Sequence, residues 1–97
     1  MNNQQIQICS TDPASRFSGA EYRQTAEAIL AVHGRVEIDV SDVLSLSDSF
    51  ADELFGVLAG ERGLCWFLEH VKVSGASEPV LRAIATAVSR RTPAVAV

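Results

Sequence analysis

The segment RVEIDV, Arg35 to Val40, constrains the fold of this chain more than any other stretch. Val36, Ile38 and Val40 fall on one side of an extended backbone, Glu37 and Asp39 on the other. That is the period of a strand with one buried face. Upstream, Tyr22, Ala26, Ile29, Leu30 and Val32 or His33 recur at spacings of three and four, and Gly34 supplies a stop. The sequence SGAE, Ser18 to Glu21, has the pattern of a capping box, so this helix is expected to begin near Ser18. Downstream, Phe50, Leu54, Val57 and Leu58 repeat at helical spacing and Phe55 broadens the stripe, predicting a second helix near Ser49 to Gly60. Asp52 and Glu53 fall in its first turn, where the helix dipole favours negative charge.

The remaining elements extend this alternation. Gln5 to Ser10, with Ile6 and Ile8 on one face, predicts a first strand, and Thr11 to Phe17 has a turn-forming composition. The continuous apolar run Leu64 to Leu68 is expected to be a central strand covered on both faces, with Trp66 and Phe67 pointing to opposite sides. Residues 71–75 read equally as a short continuation or a loop. Ser77 is expected to cap a third helix that buries Val80, Leu81, Ile84 and Val88, tolerates Pro79 in its first turn, and ends on Arg90 and Arg91. The closing TPAVAV has neither helical nor turn logic and reads as a flexible tail. The expectation is an α/β single domain over residues 1–91, with a small, largely parallel sheet and three helices in the order β-α-β-α-β-α, and a tail at 92–97.

A chain of 97 residues builds one modest core. Hydrophobic residues make up 47% and charged residues 21%, too apolar a balance for intrinsic disorder. Twelve acidic against 8 basic side chains give a net charge of −4, which disfavours a phosphate backbone as partner. MNNQQ lacks a basic region before an apolar one, and Leu64 to Leu68 is too short for a bilayer, so a cytoplasmic protein with no membrane role is expected. Cys9 and Cys65, both in apolar stretches, are expected to be buried thiols.

Catalytic chemistry finds few candidates. His33 and His70 are the only histidines, no GxSxG is present, no glycine-rich phosphate loop occurs, and two separated histidines with two cysteines make a poor metal set. No cofactor and no enzymatic activity are expected. Between the RVEIDV strand and the second helix, SDVLSLSDS carries Val43, Leu44 and Leu46 as apolar anchors of a loop. Ser47, Asp48 and Ser49 before the helix are all good caps.

SFADELFGVL, Ser49 to Leu58, preceded by VEIDVSDVLSLSD, resembles the STAS-like bacterial domain family of unknown function, and RFSGAEYR, Arg16 to Arg23, resembles that family's approach to its first helix. The likeness runs from Ile6 to Arg91. More distantly, IDVSDVLSLSDS is similar to the STAS-domain anti-sigma factor antagonists, in which a serine at the helix start is phosphorylated by a GHKL-type ATPase. On that pattern Ser47 falls at the aspartate, Asp48 at the phosphoacceptor serine, and Ser49 at the serine after it. The resemblance implies a regulatory protein-interaction module whose partner is a GHKL-type ATPase or an anti-sigma-like protein. Its binding turn would comprise Ser47, Asp48, Ser49, Phe50, Asp52 and Glu53, with Ser49 and Ser47 as candidate phosphorylation sites. The alternatives are a small hydrolase or phosphotransfer protein using Ser49 with a histidine, and a self-associating homodimer.

Overall fold

The computed structural model describes residues 4–9 and 15–92. Strand β1 (Gln5–Gln7) leads to helix α1 (Arg16–His33) and strand β2 (Val36–Asp39). A long helix α2 covers 48–62: it is α-helical at Asp48–Ala51, π-helical at Asp52–Gly56, and α-helical again at Val57–Arg62. A short helix α3 (Leu64–His70), strand β3 (Val71–Ser74) and helix α4 (Glu78–Arg91) follow.

Among the described residues the three strands are all parallel in the order β1-β2-β3, with Ile6 opposite Ile38 and Ile38 opposite Val73. Parallel neighbours need crossovers, which α1 supplies from β1 to β2, and α2 with α3 from β2 to β3. Alternation sends Ile6, Ile8, Val36, Ile38, Val40 and Val71 into the core, where all are buried. Gln5, Gln7 and Lys72 take the opposite positions and are exposed. The helices therefore cover one face, and polar side chains occupy the other.

Two expectations about the sheet are corrected. The central strand is β2, and Leu64 to Leu68 is helical. A short apolar run does not declare its own period, and the burial shows which period applies: Phe67 is buried, while Leu64 and Leu68 are exposed. Gly63, at φ 95°, breaks the path between α2 and α3, and the Phe67 amide donates to the Gly63 carbonyl at 3.0 Å to set the new helix. Trp66 accordingly does not face Phe67 across a sheet. It is half-buried, stacked on His70 with ring centroids 4.6 Å apart, and covered by the Arg62 guanidinium at 4.8 Å. The third strand is instead Val71–Ser74. Among the described residues four helices replace the expected three, in the order β-α-β-α-α-β-α.

Helix α1 begins earlier than the capping box suggested. Its cap is Ser15, whose Oγ accepts from the Ser18 amide at 3.1 Å, so Ser18 is the donor to the cap and not the cap. Ala26 and Leu30 are buried as expected, but Val32 is exposed. Val43 and Leu46 anchor the loop before α2, whereas Leu44 points outward. Val80, Ile84 and Val88 line the core face of α4, joined by Ala87; Leu81 lies on its rim, exposed. Cys9 and Cys65 are both free and exposed, because Cys9 occupies an outward position in the alternation after β1 and Cys65 lies on the outer side of a helix. Among the described residues, no helix is long and apolar enough to cross a membrane. The expected tail lies outside the described residues beyond Thr92.

Candidate functional site

Helix α2 runs between α1 and α4, and two glycines bring the three backbones close. A Cβ on Gly19 of α1 would sit 2.9 Å from the Phe50 carbonyl oxygen; one on Gly56 of α2 would sit 3.0 Å from the Ala87 carbonyl oxygen of α4. Only glycine permits both approaches without displacing backbone.

The close packing places three arginines around the π segment. Arg91 of α4 holds Asp52 with two parallel bonds, Nε to Oδ1 at 2.8 Å and Nη2 to Oδ2 at 2.7 Å. Arg16 of α1 donates to Asp52 Oδ2 at 3.0 Å and to Glu53 Oε1 at 2.9 Å. Arg23, one turn pair further along α1, pairs with Glu53 Oε2 and also donates to the Glu53 carbonyl at 3.0 Å. Hydrogen bonds from Arg91, opposed by burial and reinforced by Arg16, lower the Asp52 carboxyl to about 2. Burial pulls Glu53 upward, but the hydrogen bonds from Arg16 and Arg23 outweigh it and its pKa is lowered. Asp52 and Glu53 are therefore committed to fastening α1, α2 and α4.

Of the expected binding turn, only part faces outward. Phe50 is fully buried, in edge contact with Tyr22 at 5.8 Å, so its side chain is not available to a partner. Ser47 is the helix cap, its Oγ accepting from the Phe50 amide at 3.1 Å, and is half-buried. Asp48 and Ser49 are exposed. Asp48 borders a shallow depression of about 410 Å³ shared with Glu78, Pro79, Arg82, Ala83 and Thr86 at the start of α4. The sequence reading missed Arg16, Arg23 and Arg91 as partners of the two acids. The signal lay in RFSGAEYR, whose arginines stand seven apart on one helical face.

Neither histidine is brought to Ser49. Helix α2 starts where β2 has ended, whereas His33 closes α1 before β2 begins and His70 directly precedes β3, at the opposite end of a parallel sheet. His70 also donates from Nδ1 to the Trp66 carbonyl at 2.8 Å. Among the described residues, no group of three His, Cys, Asp or Glu side chains is placed to hold a metal.

A family model described as a STAS-like domain of unknown function (DUF4325) matches residues 20–81, more than half of the chain. No curated protein and no solved structure matches it at a significant level.

Proposed function

The chain belongs to this STAS-like family of unknown function, and from that premise we propose that it is a non-enzymatic regulatory module that docks a protein partner at the N-terminus of α2. One observation carries the reading. The polar residues from Asp48 to Glu53 split into two sets: Asp52 and Glu53 are held by arginines, while Asp48 and Ser49 are exposed, Asp48 beside the depression at the start of α4. A firmly braced helix thus presents a short polar turn, as a recognition surface requires.

By resemblance to the anti-sigma factor antagonists, the partner is a GHKL-type ATPase or an anti-sigma-like protein, and the site is cytoplasmic. Asp48 then supplies a standing carboxylate where those proteins carry their phosphoacceptor. Ser49, not Ser47, is the hydroxyl open to phosphoryl transfer, because Ser47 Oγ is engaged in the cap. Free amides of the helix start would favour a phosphate there, whereas Asp48 would oppose it.

The test is to mix the protein with a GHKL-type ATPase from the same organism and ATP, then measure complex formation and intact mass. A complex without a mass change supports the binding turn. A complex with one phosphoryl group on Ser49 supports the switch as well. Absence of both overturns the proposal.

A further inference from the structure

Ser49 stands one turn before the two anchored acids, on the same side of α2. Residues three and four apart on a helix are neighbours, about 5–6 Å between Cβ atoms, and Asp52 and Glu53 hold those positions relative to Ser49. The helix is continuous into the π segment, since the Asp52 amide donates to the Asp48 and Ser49 carbonyls. Phe50, Ala51 and Leu54 fill the buried side, so the line from Ser49 down between Asp52 and Glu53 faces outward.

One guanidinium lies across that line. Arg16 spans both acids from a single nitrogen, Nη1, to Asp52 Oδ2 at 3.0 Å and to Glu53 Oε1 at 2.9 Å. Among the described residues it spends neither Nε nor Nη2 on a bond, and its side chain is 53% exposed. Nε and Nη2 form the edge of a guanidinium that grips phosphate with two parallel bonds. The other two arginines are committed elsewhere. Arg91 clasps Asp52 through two nitrogens, while Arg23 serves the Glu53 carboxylate, the Glu53 carbonyl and Glu27. Each acid therefore keeps an arginine when Arg16 shifts toward Ser49.

We propose that Arg16 is the receiver of a phosphoryl group on Ser49, closing its Nε and Nη2 on the phosphate and so tying the start of α1 to the first turn of α2. The inference rests on the reading of Ser49 as the hydroxyl open to phosphoryl transfer. In that transfer the Ser49 oxygen bonds the γ-phosphorus of ATP as its bond to the bridging oxygen breaks. ADP leaves with the electron pair, and the hydroxyl proton passes to water. The new charge falls among Asp48, Asp52 and Glu53, which repel it, and Arg16 supplies the compensating cation. Once held, the phosphate belongs to the joint between α1 and α2, and the turn no longer offers a free hydroxyl to a partner.

Phosphoserine installed at position 49 during synthesis tests this with no kinase or partner present, in the 97-residue chain and in its Arg16→Gln and Arg82→Gln forms. Arg82 is the control, a cation that lines the depression beside Asp48 and pairs with Glu78. By nitrogen NMR, the Arg16 Nε–H signal is expected to move downfield and exchange more slowly in the phosphorylated chain than in the unmodified one. By phosphorus NMR, the second phosphate pKa is expected to be lower by about 0.5 in the parent than in R16Q, about a threefold change in proton affinity, with R82Q like the parent. An Arg16 signal indifferent to phosphorylation, equal titration in the parent and R16Q, or a change that follows R82Q instead would overturn the proposal. If R16Q fails to fold by circular dichroism, the Arg16 signal of the parent decides. Failure to bind any partner would leave these results as they are, and a negative result here would leave the docking turn standing, so the two readings fail separately.

Discussion

Arg91 grips Asp52 through both oxygens of the carboxylate, so the last turn of α4 is bolted to the π segment of α2. The pair is only partly shielded, with the Asp52 side chain 19% and the Arg91 side chain 44% exposed. Its contribution is that of a bidentate bond near a surface. Asp52→Asn is expected to cost about 1–2 kcal/mol in urea unfolding. In a double-mutant cycle with Arg91→Met, the coupling is expected near 1 kcal/mol, falling in high salt.

Acid should undo the same joint. The Asp52 pKa is lowered from 3.8 to about 2 in the folded state. A depressed carboxylate gives stability that is fully present above its unfolded pKa and is lost as pH falls through the folded one. Melting temperature should therefore drop between about pH 4 and pH 2. Glu53, also lowered, adds to the drop in the same direction. Asp52→Asn should flatten the curve across that window.

Gly56→Ala is expected to destabilise, although alanine is the better helix former by about 1 kcal/mol. The new methyl would meet the Ala87 carbonyl at 3.0 Å and Asp52 Oδ1 at 2.8 Å. The backbone oxygen cannot swing aside as a flexible side chain can, so overpacking of about 1–3 kcal/mol outweighs the propensity gain. Thermal unfolding of G56A and G19A should show a lower melting temperature for both.

The two serines flanking Asp48 should separate. Ser47→Ala removes the acceptor for the Phe50 amide and is expected to cost about 0.5–2 kcal/mol. Ser49→Ala, on an exposed position, should stay within about 0.5 kcal/mol of the parent. Urea unfolding of the two variants is a sufficient comparison.

How much of this was legible in the sequence depended on the range of the signal. The alternation at Val36, Ile38 and Val40 and the helical spacing of Phe50, Leu54 and Leu58 identified their elements because each pattern is local. Leu64 to Leu68 misled because five apolar residues in a row fit a strand or a helix. The cap of α1 lies at Ser15 and not Ser18 because either serine can cap a helix, and the Glu21 that completes the capping-box pattern favoured the wrong one. Both cysteines turned outward because an apolar neighbourhood in sequence does not fix which face a side chain takes. The arginine cluster was out of reach for a different reason: Arg16 and Arg91 stand 36 and 39 residues from Asp52, and only the packing of three helices brings them together. Resemblance marked SFADELFG as special, and the structure supplies the physical cause for five of its eight residues: Phe50 and Leu54 fill the core, Asp52 and Glu53 take arginines, and Gly56 admits α4.

The remaining claim is that the outward pair, Asp48 and Ser49, is what a partner touches. The most direct measurement is the dissociation constant for the proposed partner class, a GHKL-type ATPase, with the parent chain and with Ser49→Tyr, at matched melting temperature. A binding turn predicts a loss of tenfold or more, about 1.4 kcal/mol, with stability unchanged. An unchanged dissociation constant in a folded S49Y protein would contradict it.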